Sequence, residues 1–220
     1  MEKEERKELE KEYKEFATKK YYGKELSLPI YFSIIASAIV FILPKDILSQ
    51  YSFLRYFTEF MRNIFPNISI FAQRSKAPEL TEFYFSYMWL VAIVMIGLII
   101  FAIPKTNEEA KKYFGTGEYK GKGIFPYKFV SVMQSFFNTK YLLYYLGIIL
   151  MFGYAVYSDY TGSLIEGGIS RLRFGEAIST RFGMFFIGNV FQNLSLYVIL
   201  MTNIMTVLNT IHIQKIKKGE

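Results

Sequence analysis

The stretch GNVFQNLSLYVILMTNIMTVLNT, residues 188–210, decides how this chain must be built. It lies within thirty consecutive residues that carry no formal charge, 182–211, which is the pattern of a membrane-spanning helix. The stretch is nevertheless rich in amides and hydroxyls, and such groups cannot be satisfied by lipid. The sequence therefore predicts a spanning helix that must meet other helices or water along one side.

The polar side chains of this stretch recur every three or four residues, so a helix would bring them to one side. We call this set the polar face; it comprises Gly188, Asn189, Gln192, Asn193, Ser195, Thr202, Asn203, Thr206 and Asn209. The opposite side is apolar and is expected to face lipid. Three interpretations of the polar face stay open: packing between helices, the lining of a pore, and the binding of a ligand.

The whole composition agrees with a membrane protein. The chain has 220 residues, of which 52 % are hydrophobic and 19 % aromatic, and the apolar residues form long blocks. We predict an all-α, polytopic integral membrane protein with four transmembrane helices, the first of them retained rather than cleaved as a signal peptide. The four predicted spans lie at about 28–43, 83–104, 141–158 and 182–211.

Charge placement predicts the domain organisation and the orientation. A charged cytoplasmic helix (1–25), a single membrane domain (26–211) and a basic tail (212–220) are expected. Lys and Arg number 18 in the two terminal segments and the middle loop, against 8 in the other two loops. Because basic residues near span ends stay preferentially in the cytoplasm, both termini are predicted to be cytoplasmic. The net charge of +7 then reflects orientation and attraction to anionic lipid, not nucleic-acid binding.

An amphipathic helix is predicted between the first two spans, at about 47–65. Its apolar residues recur every three or four positions, whereas charged residues occupy the other side. The helix is too polar to span, so we expect it in the outer interface of the membrane or against a partner. The apolar residues, which we call the interfacial stripe, are Leu48, Tyr51, Leu54, Phe57, Met61 and Ile64.

Two further features bear on the outer side of the membrane. The segment FYFSYMW, 83–89, is rich in aromatic residues and predicts an aromatic belt at the outer end of the second span. Asn67 begins an N-x-[ST] pattern, which is a glycosylation signal only in a secretory-pathway host.

Motifs that carry chemistry are not found in the sequence. There is no cysteine, and the single histidine, His212, is interpreted as an interfacial side chain. Glycines at 115–123 lack the spacing of a phosphate-binding loop. The predicted spans contain no His, Asp or Glu in their interiors, which argues against a hydrolase or a proton-coupled carrier. We therefore predict no enzymatic activity, no cofactor and no metal site.

The sequence favours a small non-enzymatic subunit, accessory or scaffold protein of a larger membrane complex, assembled through the polar face. Its expected partners are membrane lipid and other membrane subunits or further copies of itself. Compositional bias toward Lys, Ile, Phe and Tyr suggests an AT-rich genome, and the lack of targeting features favours a bacterial inner membrane. Two alternatives are a small channel or membrane-depolarising effector lined by the fourth span, and an immunity or exclusion protein.

Overall fold

The computed structural model describes residues 24–121, 123, 125, 139–166 and 174–219. Within these ranges every regular element is a helix and no strand occurs, which confirms the all-α prediction. The expected N-terminal helix, 1–25, lies almost entirely outside the described residues.

The chain forms helices of very unequal length. Short 3-10 turns occupy Lys24–Ser27, Ala38–Phe41 and Gly117–Tyr119, and a π-helix occupies Gly188–Leu194. The α-helices of the described residues are α1 Leu28–Ser37, α2 Ile47–Gln50, α3 Phe53–Ile64, α4 Asn67–Arg74, α5 Pro78–Phe114, α6 Thr139–Tyr160, α7 Ser163–Glu166, α8 Phe174–Ala177, α9 Arg181–Ile187 and α10 Ser195–Lys218.

Two helices are long and apolar enough to cross a membrane. They run from Pro78 to Tyr119 and from Arg181 to Lys218, and they contain the second and fourth predicted spans. The first predicted span corresponds to a shorter apolar helix, Glu25–Phe41, and the third to α6, a helix of 22 residues. The described residues thus contain two candidate spans, and the presence of four spans stays a prediction.

Two helices continue beyond the ends that the sequence predicted. Pro104 was expected to close the second span, but it lies inside α5, which ends only at Phe114. A proline costs a helix one backbone hydrogen bond, and the other bonds of this helix carry it past that position. Likewise, α10 continues through His212 to Lys218, beyond residue 211, where the fourth span was predicted to end.

The chain divides into two compact units. The first comprises residues 1–28, 99–146 and 201–220, and the second comprises residues 29–98 and 147–200. In the first unit, His212 is buried, in contrast to the interfacial position that the sequence suggested. Its ring nitrogens lie 2.8 Å from Thr116 Oγ1 and 3.2 Å from Asn107 Oδ1, and its ring stacks on Phe114. The histidine therefore fastens α10 to residues at the end of α5 and just beyond it.

The core of the second unit is built from the segment that was predicted to form an aromatic belt. Tyr84 and Phe85 are fully buried, and Phe83 and Trp89 are nearly so. Phe71 of α4 meets Phe85 edge to face, with ring centroids 4.7 Å apart. The belt prediction is therefore wrong for these four residues, because α3 and α4 pack over them and replace the lipid interface.

The start of the fourth helix is held by specific contacts within the second unit. Thr180 precedes α9 and accepts a hydrogen bond from the Gly183 amide at 3.0 Å, which caps the helix. A side chain at Gly183 would collide with the Ala177 carbonyl, so only glycine allows this approach. The Arg181 guanidinium donates to the carbonyl oxygens of Val40, Phe41 and Leu43, which end the first predicted span.

The Arg181 contact predicts a measurable loss of stability. We expect Arg181→Lys to lower the free energy of unfolding by about 2 kcal/mol, because one ammonium cannot replace a planar fork and each hydrogen bond from a charged group contributes about 1.5–3 kcal/mol. Denaturation in mild detergent measures the loss. Arg62→Lys is the matched control, since Arg62 forms a partly exposed ion pair with Glu82 at 3.5 Å and should cost less than about 1 kcal/mol. Equal losses in the two variants would contradict the prediction.

Candidate functional site

The first half of the polar face lies on a π-helix, Gly188–Leu194, between α9 and α10. A π-helix has wider turns than an α-helix and is often found at functional positions. Ser195, directly after this segment, donates its hydroxyl back to the Val190 carbonyl at 2.9 Å. The wider turn changes which residues share a side, a change that the 3,4 spacing of the sequence does not reveal.

Two amides of the π-helix bind two serines of α1. Asn189 Nδ2 donates to Ser37 Oγ at 2.6 Å, and Asn193 Nδ2 donates to Ser33 Oγ at 2.7 Å. All four side chains are buried. The two asparagines are four residues apart in the sequence, and so are the two serines. The polar face is therefore matched, amide to hydroxyl, by a short polar row on the first predicted span.

Close packing on the other flank of the π-helix depends on Gly188. A Cβ atom there would stand 3.1 Å from Tyr84 Oη and 3.2 Å from Met88 Cε, both on α5. These separations are tighter than most side-chain contacts, so a larger residue would require the Tyr84 and Met88 side chains to shift by a few tenths of an ångström. Small residues serve this purpose in membrane helices generally.

Several buried polar atoms of this region have no hydrogen-bond partner among the described residues. They are both amide atoms of Gln192 and the Oδ1 atoms of Asn189 and Asn193. Leaving such an atom unpaired costs about 1–3 kcal/mol. The layer around the π-helix thus holds more hydrogen-bonding capacity than the protein itself uses.

The second half of the polar face belongs to the first unit and is less enclosed. Asn203 Oδ1 accepts a hydrogen bond from the Tyr145 hydroxyl of α6, while Thr202, Thr206 and Asn209 are half-buried. The Thr210 hydroxyl donates to the Thr206 carbonyl at 2.7 Å, so it turns back onto its own helix. In this half, Asn203 thus also has a hydrogen-bond partner within the chain.

The interfacial stripe is divided between two helices and two environments. The predicted helix 47–65 is interrupted after Gln50 and begins again at Phe53. Leu48 and Met61 are buried, Leu54 and Phe57 are half-buried against neighbouring helices, and Tyr51 and Ile64 are 50 % and 44 % exposed. Most of the stripe therefore packs on the protein. A different aromatic set of α3 is exposed instead, namely Phe53, Tyr56 and Phe60.

A charged cleft lies beside α3. It has a volume of about 220 Å³ and is bounded on one side by Arg55, Glu59 and Arg62, and on the other by Glu79 and Glu82. The Glu79 carboxylate accepts two hydrogen bonds from Ser49, one from its amide at 2.8 Å and one from its hydroxyl at 2.5 Å. Charges of both signs thus lie together in the cleft. The Ser49–Glu79 hydrogen bonds join α2 to α5, and the Arg62–Glu82 ion pair joins α3 to α5.

A second buried polar cluster escaped the sequence analysis. Asp159 directly follows the predicted third span, 141–158, and is fully buried within α6. Asn67, the possible glycosylation site, is also fully buried, and both ends of its amide are hydrogen-bonded. The signal available in the sequence was a lone acid directly after an apolar window.

The two amide–serine bonds predict pairwise coupling energies. Asn193→Leu and Ser33→Ala, tested singly and together, should show a coupling of about 0.6 kcal/mol and at most about 1.7, the range for hydrogen bonds between membrane helices. Denaturation in detergent provides the free energies. The control pairs Asn193→Leu with Ser37→Ala, which share no hydrogen bond, and should show coupling near zero. Strictly additive effects in the first cycle would show that the bond contributes nothing.

No protein-family model, curated protein or solved structure matches this chain. Its function must accordingly be inferred from its own geometry.

Proposed function

We propose that this chain is a small, non-enzymatic, multi-pass membrane protein that acts as a subunit or accessory factor of a larger membrane assembly. The observation that carries the proposal is a division of side chains: the amides of Asn189, Asn193 and Asn203 bind partners inside the chain, whereas many large apolar side chains are exposed. Such a surface suits lipid and other transmembrane helices.

In this proposal, the polar face mainly stabilises the packing of helices within the chain. Asn189 and Asn193 bind Ser37 and Ser33 of the same chain, so these amides are not free to bind a neighbouring subunit. This modifies the expectation from the sequence, in which the polar face joined one protein to another. Contact with a partner subunit must then use a different surface.

The outward face of α6 is our candidate for that surface. Leu150, Met151, Tyr154 and Tyr157 follow helical spacing and are each at least 60 % exposed. Tyr154 lies about one turn inside the predicted third span, and no hydrogen bond to its hydroxyl is found within the described residues. A phenol at that depth prefers a polar partner, which another protein offers and hydrocarbon tails do not.

In the membrane we propose four spans, with both termini in the cytoplasm of a bacterial cell. The basis is the distribution of basic residues, 18 against 8. In this arrangement α3 and α4 lie on the outer side, and exposed Phe53, Tyr56 and Phe60 dip into the lipid headgroups. The segment around Gly117–Tyr119 is cytoplasmic.

The unpaired buried atoms near Gln192 favour a second candidate function, a small channel. Amide groups with spare hydrogen-bonding capacity could hold a row of water molecules along the fourth helix. The full burial of Gln192 and Asn193 within one chain weighs against an open pore. We rank the channel second for that reason.

Cysteine labelling tests the orientation. The chain contains no natural cysteine, so a single introduced thiol reports without background. Exposed Gln73 and Glu118 are suitable sites. In intact cells, Gln73→Cys should react with a membrane-impermeant reagent and Glu118→Cys should not; after permeabilisation both should react. Reaction of Glu118→Cys alone in intact cells would reverse the orientation.

Photo-crosslinking tests the proposed partner surface. A photoreactive phenylalanine analogue at Leu150 or Tyr154 should give a discrete protein adduct in native membranes, identified by mass spectrometry as another subunit or a second copy. The matched control is Ile93 of α5, which is 52 % exposed and should crosslink only to lipid. Absence of protein adducts at both α6 positions, together with ion conductance of the reconstituted chain alone, would reject the subunit and favour the channel.

A further inference from the structure

The most unusual group in the described residues is the buried carboxyl of Asp159. It lies in the last turn of α6, one residue beyond the predicted third span and outside both helices that meet the length and hydropathy of a span. The side chain is completely inaccessible to solvent. Ionised carboxyls are almost never fully buried without a paired charge, so this position calls for a specific explanation.

Asp159 ends a chain of hydrogen bonds that joins three helices. Asn67 Nδ2, at the start of α4, donates to Asp159 Oδ2 at 3.2 Å. Trp89 Nε1, on α5, donates to Asn67 Oδ1 at 3.1 Å. The Trp89 ring is in turn stacked on Phe65, with centroids 4.1 Å apart. Asn67 therefore connects the carboxyl to the single tryptophan of the chain.

No cation compensates this carboxyl among the residues that the structure describes. The groups presented to it are the Asn67 amide from α4 and the Trp89 indole beyond it on α5. On its own helix the neighbouring titratable group is the Tyr160 phenol, which donates instead to the Ile64 carbonyl at 3.2 Å. Asp159 Oδ1 and the adjacent Ser158 Oγ are buried and have no hydrogen-bond partner within the described part of the chain.

We propose that Asp159 is a proton-binding group, and that release of its proton opens the contact between α4 and the α5–α6 pair. In the closed form the neutral carboxyl carries the proton on Oδ1, and its carbonyl oxygen Oδ2 accepts the Asn67 amide. Loss of the proton to water leaves a buried carboxylate, and its desolvation cost is relieved when the contact opens and water reaches the group.

A proton fits this site better than a metal cation does. Hard cations in proteins take about six or more oxygen ligands, whereas the described residues offer two unpartnered oxygens here, Asp159 Oδ1 and Ser158 Oγ. Burial also favours the protonated carboxyl, since it raises the pKa of Asp159 to about 8. The group would thus be protonated in neutral surroundings and would ionise in mildly alkaline ones.

The pH response of Asp159 does not depend on the proposed function, because the same contact is present whether the chain acts as a subunit or a channel. Asp159 lies one residue outside the predicted third span, so it is compatible with the absence of acidic residues from the interiors of the predicted spans.

The fluorescence of Trp89 can report the proposed opening directly. In the purified full-length chain in mild detergent, tryptophan emission should shift to longer wavelength between about pH 6 and about pH 10, with a midpoint near 8. An infrared difference spectrum over the same range should show loss of a protonated-carboxyl band. The Asp159→Asn variant, which keeps an oxygen acceptor for Asn67, should abolish both changes.

The sign of the stability change follows from the same shift. The carboxyl of the unfolded chain ionises near about pH 4, whereas the folded protein keeps its proton until about 8. The unfolded state therefore binds fewer protons between these values, and the melting temperature should fall as pH rises across that window. Asp159→Asn should flatten this dependence.

Controls separate the carboxyl from other titrating groups. Tyr160→Phe should retain the transition, because the phenol near Trp89 is not its source. A transition that persists in Asp159→Asn, or the absence of any carboxyl band in the wild-type protein, would overturn the proposal. A spectral change that follows sodium concentration at constant pH would show that the site binds a cation instead of a proton, and would also overturn the proposal.

Discussion

The matched hydrogen bonds between the π-helix and α1 are the constraint on which the second unit depends. An amide in an apolar setting must find a partner, because neither hydrocarbon nor packed aliphatic side chains can supply one. Asn189 and Asn193 find Ser37 and Ser33, and the equal spacing of the two pairs fixes how far one helix can slide along the other. Apolar packing alone would tolerate several registers, whereas two simultaneous bonds tolerate one.

The remainder of the unit follows from this alignment. Arg181 can reach the last carbonyls of the first apolar segment only in that register, and Gly188 then brings the π-helix against Tyr84 and Met88. Short helices α3 and α4 complete the core by covering the aromatic start of α5. Covering it also encloses Asn67 and Asp159, so a polar network becomes buried as a consequence of aromatic packing.

The distribution of polar groups links this fold to the proposed role. Hydrogen-bonding side chains are concentrated within the units, where each bond adds a small energy but excludes alternative arrangements. Apolar and aromatic side chains occupy the outward faces of α3 and α6. A membrane subunit needs both properties, since it must keep its own structure while it offers a surface to lipid and to neighbouring helices.

The sequence by itself determined the helical class and the two longest apolar helices, because the lack of charge over many consecutive residues is a local property. It could not reveal the partners Ser33 and Ser37, which stand more than 150 positions away. Nor could it show that the aromatic segment 83–89 is covered by α3 and α4, or that Asp159 is enclosed. Those outcomes were decided by tertiary packing, because burial is set by which distant segments meet, and a residue at the edge of an apolar window has the same local pattern whether water or protein lies next to it.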